Sequence, residues 1–363
     1  MNMEDELEPR IVRQNTTRHQ PVRSTRVYDG VRGTVVNALR RIVLAEIPYV
    51  ATHRDESRAA GSSGGFVVRA NTGKLHDDAL LDRLSLIPIF LTRDELLNFI
   101  PGSITVHLKV SNQGKFACDI TSANLKADLF DRPHPKGGAC FPANPATGDH
   151  VLITRLYPGE KIDVTATLEK ATPATHAAFA TASLVAVERS LDEDAREAEA
   201  DRIRADASLD EKERRRRMNF LEHIDRLKMI KYTQEGEPVE TRLTVESECG
   251  LSAEEIIRFA EEELLHKFTT DNISQTSTRE HDSIVFAVAK QGHTFGSVMQ
   301  EVCMKDKAEL GIVSIGYYIM HPLEEKIVVR VALADEDREL VDPDALFSRL
   351  RVHCANYLRT VFR

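Results

Sequence analysis

The acidic pairs Asp77-Asp78 and Glu254-Glu255 are the residue types suited to general acid–base work. Adjacent carboxylates on a helix point to different sides, however, and Glu255 lies three residues after Ser252, where it completes a capping box. His176 could ligate a metal, but beside Ala177 and Phe179 it reads as a packing residue, and His293-Thr294 reads as a turn and helix cap rather than a catalytic dyad. The five cysteines, Cys118, Cys140, Cys249, Cys303 and Cys354, include no CxxC pair, and the nearest two are 22 residues apart. That spacing supports neither a zinc ribbon nor a disulfide framework and fits a reducing intracellular compartment. Gly61-Ser-Ser-Gly-Gly65 is not followed by the Lys-Ser/Thr of a phosphate-binding loop and reads as a flexible connection. Arg214 to Arg217 is the one dense basic run. With Glu211 and Glu213 just ahead of it, it reads as a solvated helix face, contact with nucleic acid or a partner being the alternative.

Such dispersed groups need elements to position them. A chain of 363 residues, 42% hydrophobic and 29% charged, is expected to fold into two or three domains with real cores. Lys and Arg number 48 against 57 Asp and Glu, a net charge of −9, so any nucleic-acid contact must be local. The longest apolar run, Leu84 to Leu91, falls far short of the ~20 residues that span a bilayer. Met1 to Arg10 is acidic where a secretory signal would be basic and then apolar.

Periodicity predicts an amphipathic helix over Gly33 to Ile47, with Val35, Val36, Leu39, Ile42, Val43 and Ile47 on one face and Pro48 as its stop. Residues 75 to 91 carry a shorter helical pattern. From 92 to 150, clustered Pro and Gly predict a loop-rich inserted subdomain with embedded strands such as Ile104 to Val110. Strands are expected at Val151 to Arg155 and Lys161 to Leu168, separated by a Tyr157-Pro-Gly159 turn. Glu188 to Arg217 is dominated by charge and reads as an exposed helix or arm, after which Met218, Leu221, Ile224, Leu227 and Ile230 restore an apolar stripe. A capped helix follows at 253 to 268, with Ile256, Ala260 and Leu264 on its apolar face, then a polar linker at 269 to 282. Beyond it, strands at Ile284 to Ala289, Ile312 to Met320 and Lys326 to Leu333 accompany a helix at 293 to 304 and a closing helix opened by Asp342-Pro343. That closing helix presents Leu346, Leu350, Cys354, Tyr357, Leu358 and Val361 on a stripe that needs a partner.

Thr34-Val-Val-Asn-Ala-Leu39 and Thr294-Phe-Gly-Ser-Val-Met299 form a weak internal repeat, each opening an amphipathic helix. Two related halves, each with an unsatisfied apolar helix face, are expected to pack across a pseudo-two-fold axis. At these residues the chain resembles the alpha-type assembly subunits of cellular RNA polymerases: bacterial alpha, archaeal D and the third-largest subunit of the eukaryotic enzyme. Asn37 to Pro48 looks like their first helix and Asp82-Arg-Leu-Ser-Leu-Ile-Pro88 like a second block. Leu156 to Phe179, and Val245-Glu-Ser-Glu-Cys-Gly-Leu-Ser252, follow in the family's order. The C-terminal unit, with Gly292-His-Thr-Phe-Gly296, Gly316-Tyr-Tyr and His321 to Ile327, is similar to their smaller partner, archaeal L or the eleventh subunit. Joining both partners in one chain resembles the polymerases of large DNA viruses.

The resemblance implies an α+β fold of two dimerisation units packed across a pseudo-two-fold, with a D-like unit at 1–52 and 151–268 carrying the 188–230 arm. An inserted subdomain at 53–150, the linker and an L-like unit at 283–363 complete the expected organisation. The expected dimerisation core comprises Val35, Leu39, Ile42, Val43, Ile256, Ala260, Leu264, Phe295, Val298, Leu346, Leu350, Tyr357 and Leu358. Asn37, Arg40, Arg41 and Glu46 are expected to face a large subunit. The implied function is a non-catalytic platform that seats the two largest subunits and a small zinc-binding subunit of the tenth-subunit type. DNA contact would be only indirect, and the site of action is where transcription occurs, a host nucleus or viral factory. Polymerase chemistry needs a carboxylate cluster holding two magnesium ions, and none is legible. No cofactor is expected: some relatives hold zinc or an iron–sulfur cluster in the insertion, but Cys118 and Cys140 alone cannot supply one.

Overall fold

The computed structural model describes residues 10–12, 23–53, 65–130, 132–133, 137–144, 147–234, 236–271, 273–280, 282–321, 323–324, 326–334 and 340–363. Residues 1–9 of the acidic N-terminal stretch, all of the 61–65 loop except Gly65, and Pro135 and Pro145 of the Pro/Gly cluster lie outside them.

Strands β1 (Arg10–Val12) and β2 (Arg23–Asp29) lead into helix α1 (Gly33–Ala45), whose Val35, Val36, Ala38, Leu39, Ile42 and Val43 form one buried stripe. After β3 (Tyr49–Ala51) the chain makes β4 (Phe66–Asn71), α2 (Asp77–Ser85), the short α3 (Arg93–Leu97) and β5 (Ile104–Ser111). It continues through β6 (Cys118–Thr121), β7 (Leu125–Leu129), β8 (Arg132–Pro133), β9 (Leu152–Leu156), β10 (Lys161–Thr167), β11 (Glu169–Ala171) and β12 (Ala182–Arg189). The charged arm is two real helices, α4 (Glu193–Ala205) and α5 (Glu211–His223), each opened by an aspartate cap. Then come β13 (Glu240–Ser247) and α6 (Ala253–Thr269). The C-terminal unit consists of β14 (Gln275–Arg279), β15 (Ser283–Ala289), α7 (His293–Lys305), β16 (Ser314–Tyr318), β17 (Lys326–Ala332) and α8 (Pro343–Val361).

The molecule is α+β, with every strand pair antiparallel. One four-stranded sheet runs β1-β2-β13-β12, and a second, from the C-terminal unit, runs β14-β15-β17-β16. Between them in sequence, a five-stranded sheet runs β4-β10-β5-β7-β8, with β3–β11 and β6–β9 as separate ribbons. The expected Pro-Gly turn forms, the Glu160 amide donating to the Tyr157 carbonyl at 3.0 Å, but the strands it joins do not pair with each other: β9 pairs with β6, while β10 lies between β4 and β5. The sheet that fills the inserted region thus takes in residues 161–167 and extends past the 150 boundary read from composition. The 269–282 stretch is not all linker either, because Gln275–Arg279 pairs along β15 as an edge strand. Its residues are largely exposed, so no apolar alternation betrayed it. Helix α5 stops at His223, leaving Ile224 and Leu227 of the predicted stripe exposed.

A single continuous apolar core runs through both ends of the chain. Helix α1 packs on α6 and α7, and α8 packs on α6 and α7, so the four amphipathic helices close on one another. Every predicted core residue is in it: twelve are buried and Tyr357 lies half-buried against it. The arm has its own small cluster of Ala200, Ile203 and Leu221, with Leu209, Met218 and Met229 packed against them.

Candidate functional site

The seam between the two ends is sealed by specific contacts as well as apolar burial. Phe268 of α6 stacks on Phe295 of α7 with ring centroids 4.6 Å apart. Arg32, which sequence reasoning passed over, is 2% exposed at the N-terminus of α1. Its guanidinium donates to the carbonyl of Glu301 on α7 and lies 5.1 Å from the Tyr357 ring of α8. No periodicity marks such a residue, since it sits just outside the apolar stripe. On α1, Arg41 donates through Nε to Thr294 Oγ1 of α7 at 3.2 Å. Thr294 is thus an acceptor across the seam and not the helix cap expected for it: Gly292 occupies the cap position and offers no side chain.

The expected large-subunit face divides. Asn37 and Arg41 are exposed, and Arg40, partly exposed, donates to Asn37 Oδ1 at 3.0 Å. Glu46 is instead held by Lys267 of α6, whose Nζ lies 2.6 Å from its carboxylate, so it ties α1 to α6. Both side chains are partly buried, which favours this internal ion pair over an outward role.

Two glycines of the quoted blocks have a steric reason. A Cβ on Gly296 would meet the Tyr317 ring, with Cγ only 2.6 Å away, so the ring lies directly on the α7 backbone. There Tyr317 Oη hydrogen-bonds His293 Nδ1 at 3.2 Å, which joins the Gly292–Gly296 and Gly316-Tyr-Tyr segments. A Cβ on Gly250 would run into the Leu91 backbone, whose amide nitrogen is 2.6 Å from it. Buried Tyr49 knots this second contact: its hydroxyl donates to the Ile89 carbonyl at 2.8 Å and accepts from the Leu91 and Gly250 amides, both at 3.1 Å. Next to it, burial pushes the Cys249 thiol up to about 11, so it stays protonated and unreactive at neutral pH. His176 caps its own turn by accepting from the Ala178 amide at 3.1 Å.

An open cleft of about 1230 Å³ lies beside the seam. Gly33, Thr34, Asn37, Arg40 and Arg41 of α1, with His293, Ser297 and Tyr317, make one wall; Glu222, His223, Leu227 and Ile230 of the arm make the other. Helices α1 and α7 both open here, and neither has a side-chain cap or an acidic residue in its first turn. Their partial positive ends add to the arginines of the wall. Behind the cleft, burial and the nearby Glu237 raise the Glu301 carboxyl, against the pull of Arg32 and Arg189. On the far side of α6, Glu261 takes Arg26 Nη1 at 2.8 Å and the Tyr28 hydroxyl at 2.7 Å, yet burial still holds its pKa above the ordinary value.

The acid pairs form no catalytic grouping: Asp77 accepts from Asn71 at 2.7 Å, and Glu255 closes the α6 capping box with Ser252. Among the described residues no three His, Cys, Asp or Glu side chains are placed to hold a metal ion together. No described helix is long and apolar enough to cross a membrane. Arg214 donates to the carbonyls of Asp206 and Leu209, while Arg215, Arg216 and Arg217 lie 3.5–3.7 Å from Glu211 or Glu213.

Two α+β units joined through a seam of four amphipathic helices, with their chemistry spent on packing, define a dimerisation scaffold. The RNA polymerase Rpb3/Rpb11 dimerisation domain matches twice, over residues 27–268 and 283–345. The chain belongs to this family and carries its dimerisation domain in tandem. The DNA-directed RNA polymerase subunit Rpo3 of Methanosphaera stadtmanae is 28% identical over 167 residues, 43% of this chain and 53% of that protein. The chain therefore spans about half the length of this relative.

Proposed function

We propose that the chain is a non-catalytic assembly subunit of a DNA-directed RNA polymerase, an intramolecular heterodimer of a D-like and an L-like unit. The observation that carries this reading is the common core in which α1 and α6 of one unit pack on α7 and α8 of the other. The platform seats the two largest subunits through the exposed part of α1, around Asn37, Arg40 and Arg41, and takes a small zinc-binding subunit alongside. DNA is reached only through the complex, at the site of transcription. The chain itself binds no metal, so purified protein is expected to carry substoichiometric zinc by elemental analysis, and one zinc per chain would contradict this.

The test is affinity purification of tagged protein from its native source with quantitative mass spectrometry. Stoichiometric recovery of two large polymerase subunits without a separate L-like chain is expected. Recovery of the chain alone, or only with nucleic acid that high salt removes, would overturn the reading. Free nucleic-acid binding through Arg214 to Arg217 is the second reading; the net charge of −9 and the acidic neighbours Glu211 and Glu213 weigh against it.

A further inference from the structure

The arm has no counterpart among the blocks that carried the family resemblance, yet it makes half of the cleft. Beyond Arg189 the chain leaves β13 and pairs instead with the returning end of the arm: Leu191 bridges Ile230, and the Asp192 amide donates to the Met229 carbonyl at 2.8 Å. This stalk holds the arm over the seam, while the arm's apolar cluster stays apart from the main core. Val187, Leu191, Leu227 and Ile230 line the cleft as well, and Leu227 is 71% exposed. Arg40, Arg41 and Arg189 line it too: Arg40 donates to Asn37 and Arg41 to Thr294, both uncharged acceptors, while Arg189 acts on the Glu301 carboxyl. Arg189 reaches across the start of α1, where a Cβ on Gly33 would lie 3.2 Å from its Nη2. A guanidinium against the positive end of a helix is a like-charge arrangement that an incoming carboxylate would relieve.

We propose that the arm and the α1–α7 wall clamp an acidic, apolar-faced segment of a large polymerase subunit, and this proposal rests on the assembly reading above. The volume exceeds the ~300–1,000 Å³ of small-molecule sites and suits a stretch of polypeptide. The apolar strip, which a phosphate backbone cannot cover, disfavours nucleic acid.

The experiment reconstitutes the full chain with its two large subunits and titrates complex formation for three variants. These are Leu227→Asp, Arg189→Glu, and a chain in which Asn-Gly joins Leu191 directly to Ile230. Each is expected to bind about tenfold more weakly or worse, with a thermal melt of the main core close to that of the parent. A photo-cross-linking residue at position 227 of the parent chain is expected to label an acidic segment of one large subunit. If the parent assembles and all three variants match it, the clamp is wrong while the assembly reading stands. If the parent itself fails to assemble, the assembly reading falls first. Salt-sensitive binding of duplex DNA by the free chain, lost in Arg189→Glu, would overturn the clamp in favour of nucleic acid.

Discussion

Single residues do two jobs in this molecule: some allow close approach and some hold charge where water is excluded. Gly296 is of the first kind. Gly296→Ala forces the Tyr317 ring off α7, and overpacking of this sort costs about 1–3 kcal/mol; an unchanged urea midpoint would show that the ring relaxes freely. Glu261 is of the second kind. Because burial raises its carboxyl above the ordinary value of 4.5, the folded chain holds this proton more tightly than the unfolded chain does. The stability it contributes is present below pH 4.5 and is lost as pH rises through the raised value. Glu261→Gln lacks that loss, so its stability-versus-pH curve above 4.5 is expected to be flatter by up to about 1.4 kcal/mol per unit. Parallel curves from denaturant titrations across pH 4 to 7 would contradict this. Gly296 was marked in sequence only as part of the Gly292–Gly296 block, with nothing to foretell the Tyr317 ring, and Glu261 was not marked at all. Gly296 sits inside a helical pattern, and Glu261 falls where an exposed acid would be unremarked.

At the scale of elements, what is local was legible and what is distant was not. Helices α1, α6, α7 and α8 were legible because their apolar stripes repeat every three to four residues. The ends of α6 and α8 were further marked by Ser252 and by Asp342-Pro343, whose caps form as expected. Leu39 and Leu350, one in each unit, are both fully buried. Replacing either by Ala is expected to cost ~2–5 kcal/mol, and a loss well below 1 kcal/mol in equilibrium unfolding would contradict a shared core. The partnering of β10 with β4 and β5 was beyond reach, since register between strands dozens of residues apart leaves no periodic trace. Polar β14 was hidden by its exposure, and the break between α4 and α5 by the uniform charge around it. For the site, the same limit applied. Arg40 and Arg41 could be named from one helix, but their juxtaposition with the arm, Arg189 and Tyr317 arises only on folding.

For the whole molecule, tandem domains on one chain turn an association into a folding step. A short connection gives the second unit an effective concentration of roughly millimolar, so the seam forms without a search. The melting temperature of the intact chain is accordingly expected to be independent of protein concentration. After a protease site introduced between α6 and β14 is cut, melting should become concentration-dependent, with the halves still co-eluting at micromolar levels. Halves that separate at once on cutting would mean that the tether, and not the seam, holds them.

The hydrogen bond from Arg41 to Thr294 joins residues 253 positions apart. At about 5–20 residues per second, the face of α1 that α7 covers must wait roughly 10–50 s on the ribosome before its cover has been made. Among the described helices α1 is made earliest and is among the last to be fully shielded, so part of its apolar face stays uncovered through most of the synthesis of the described residues.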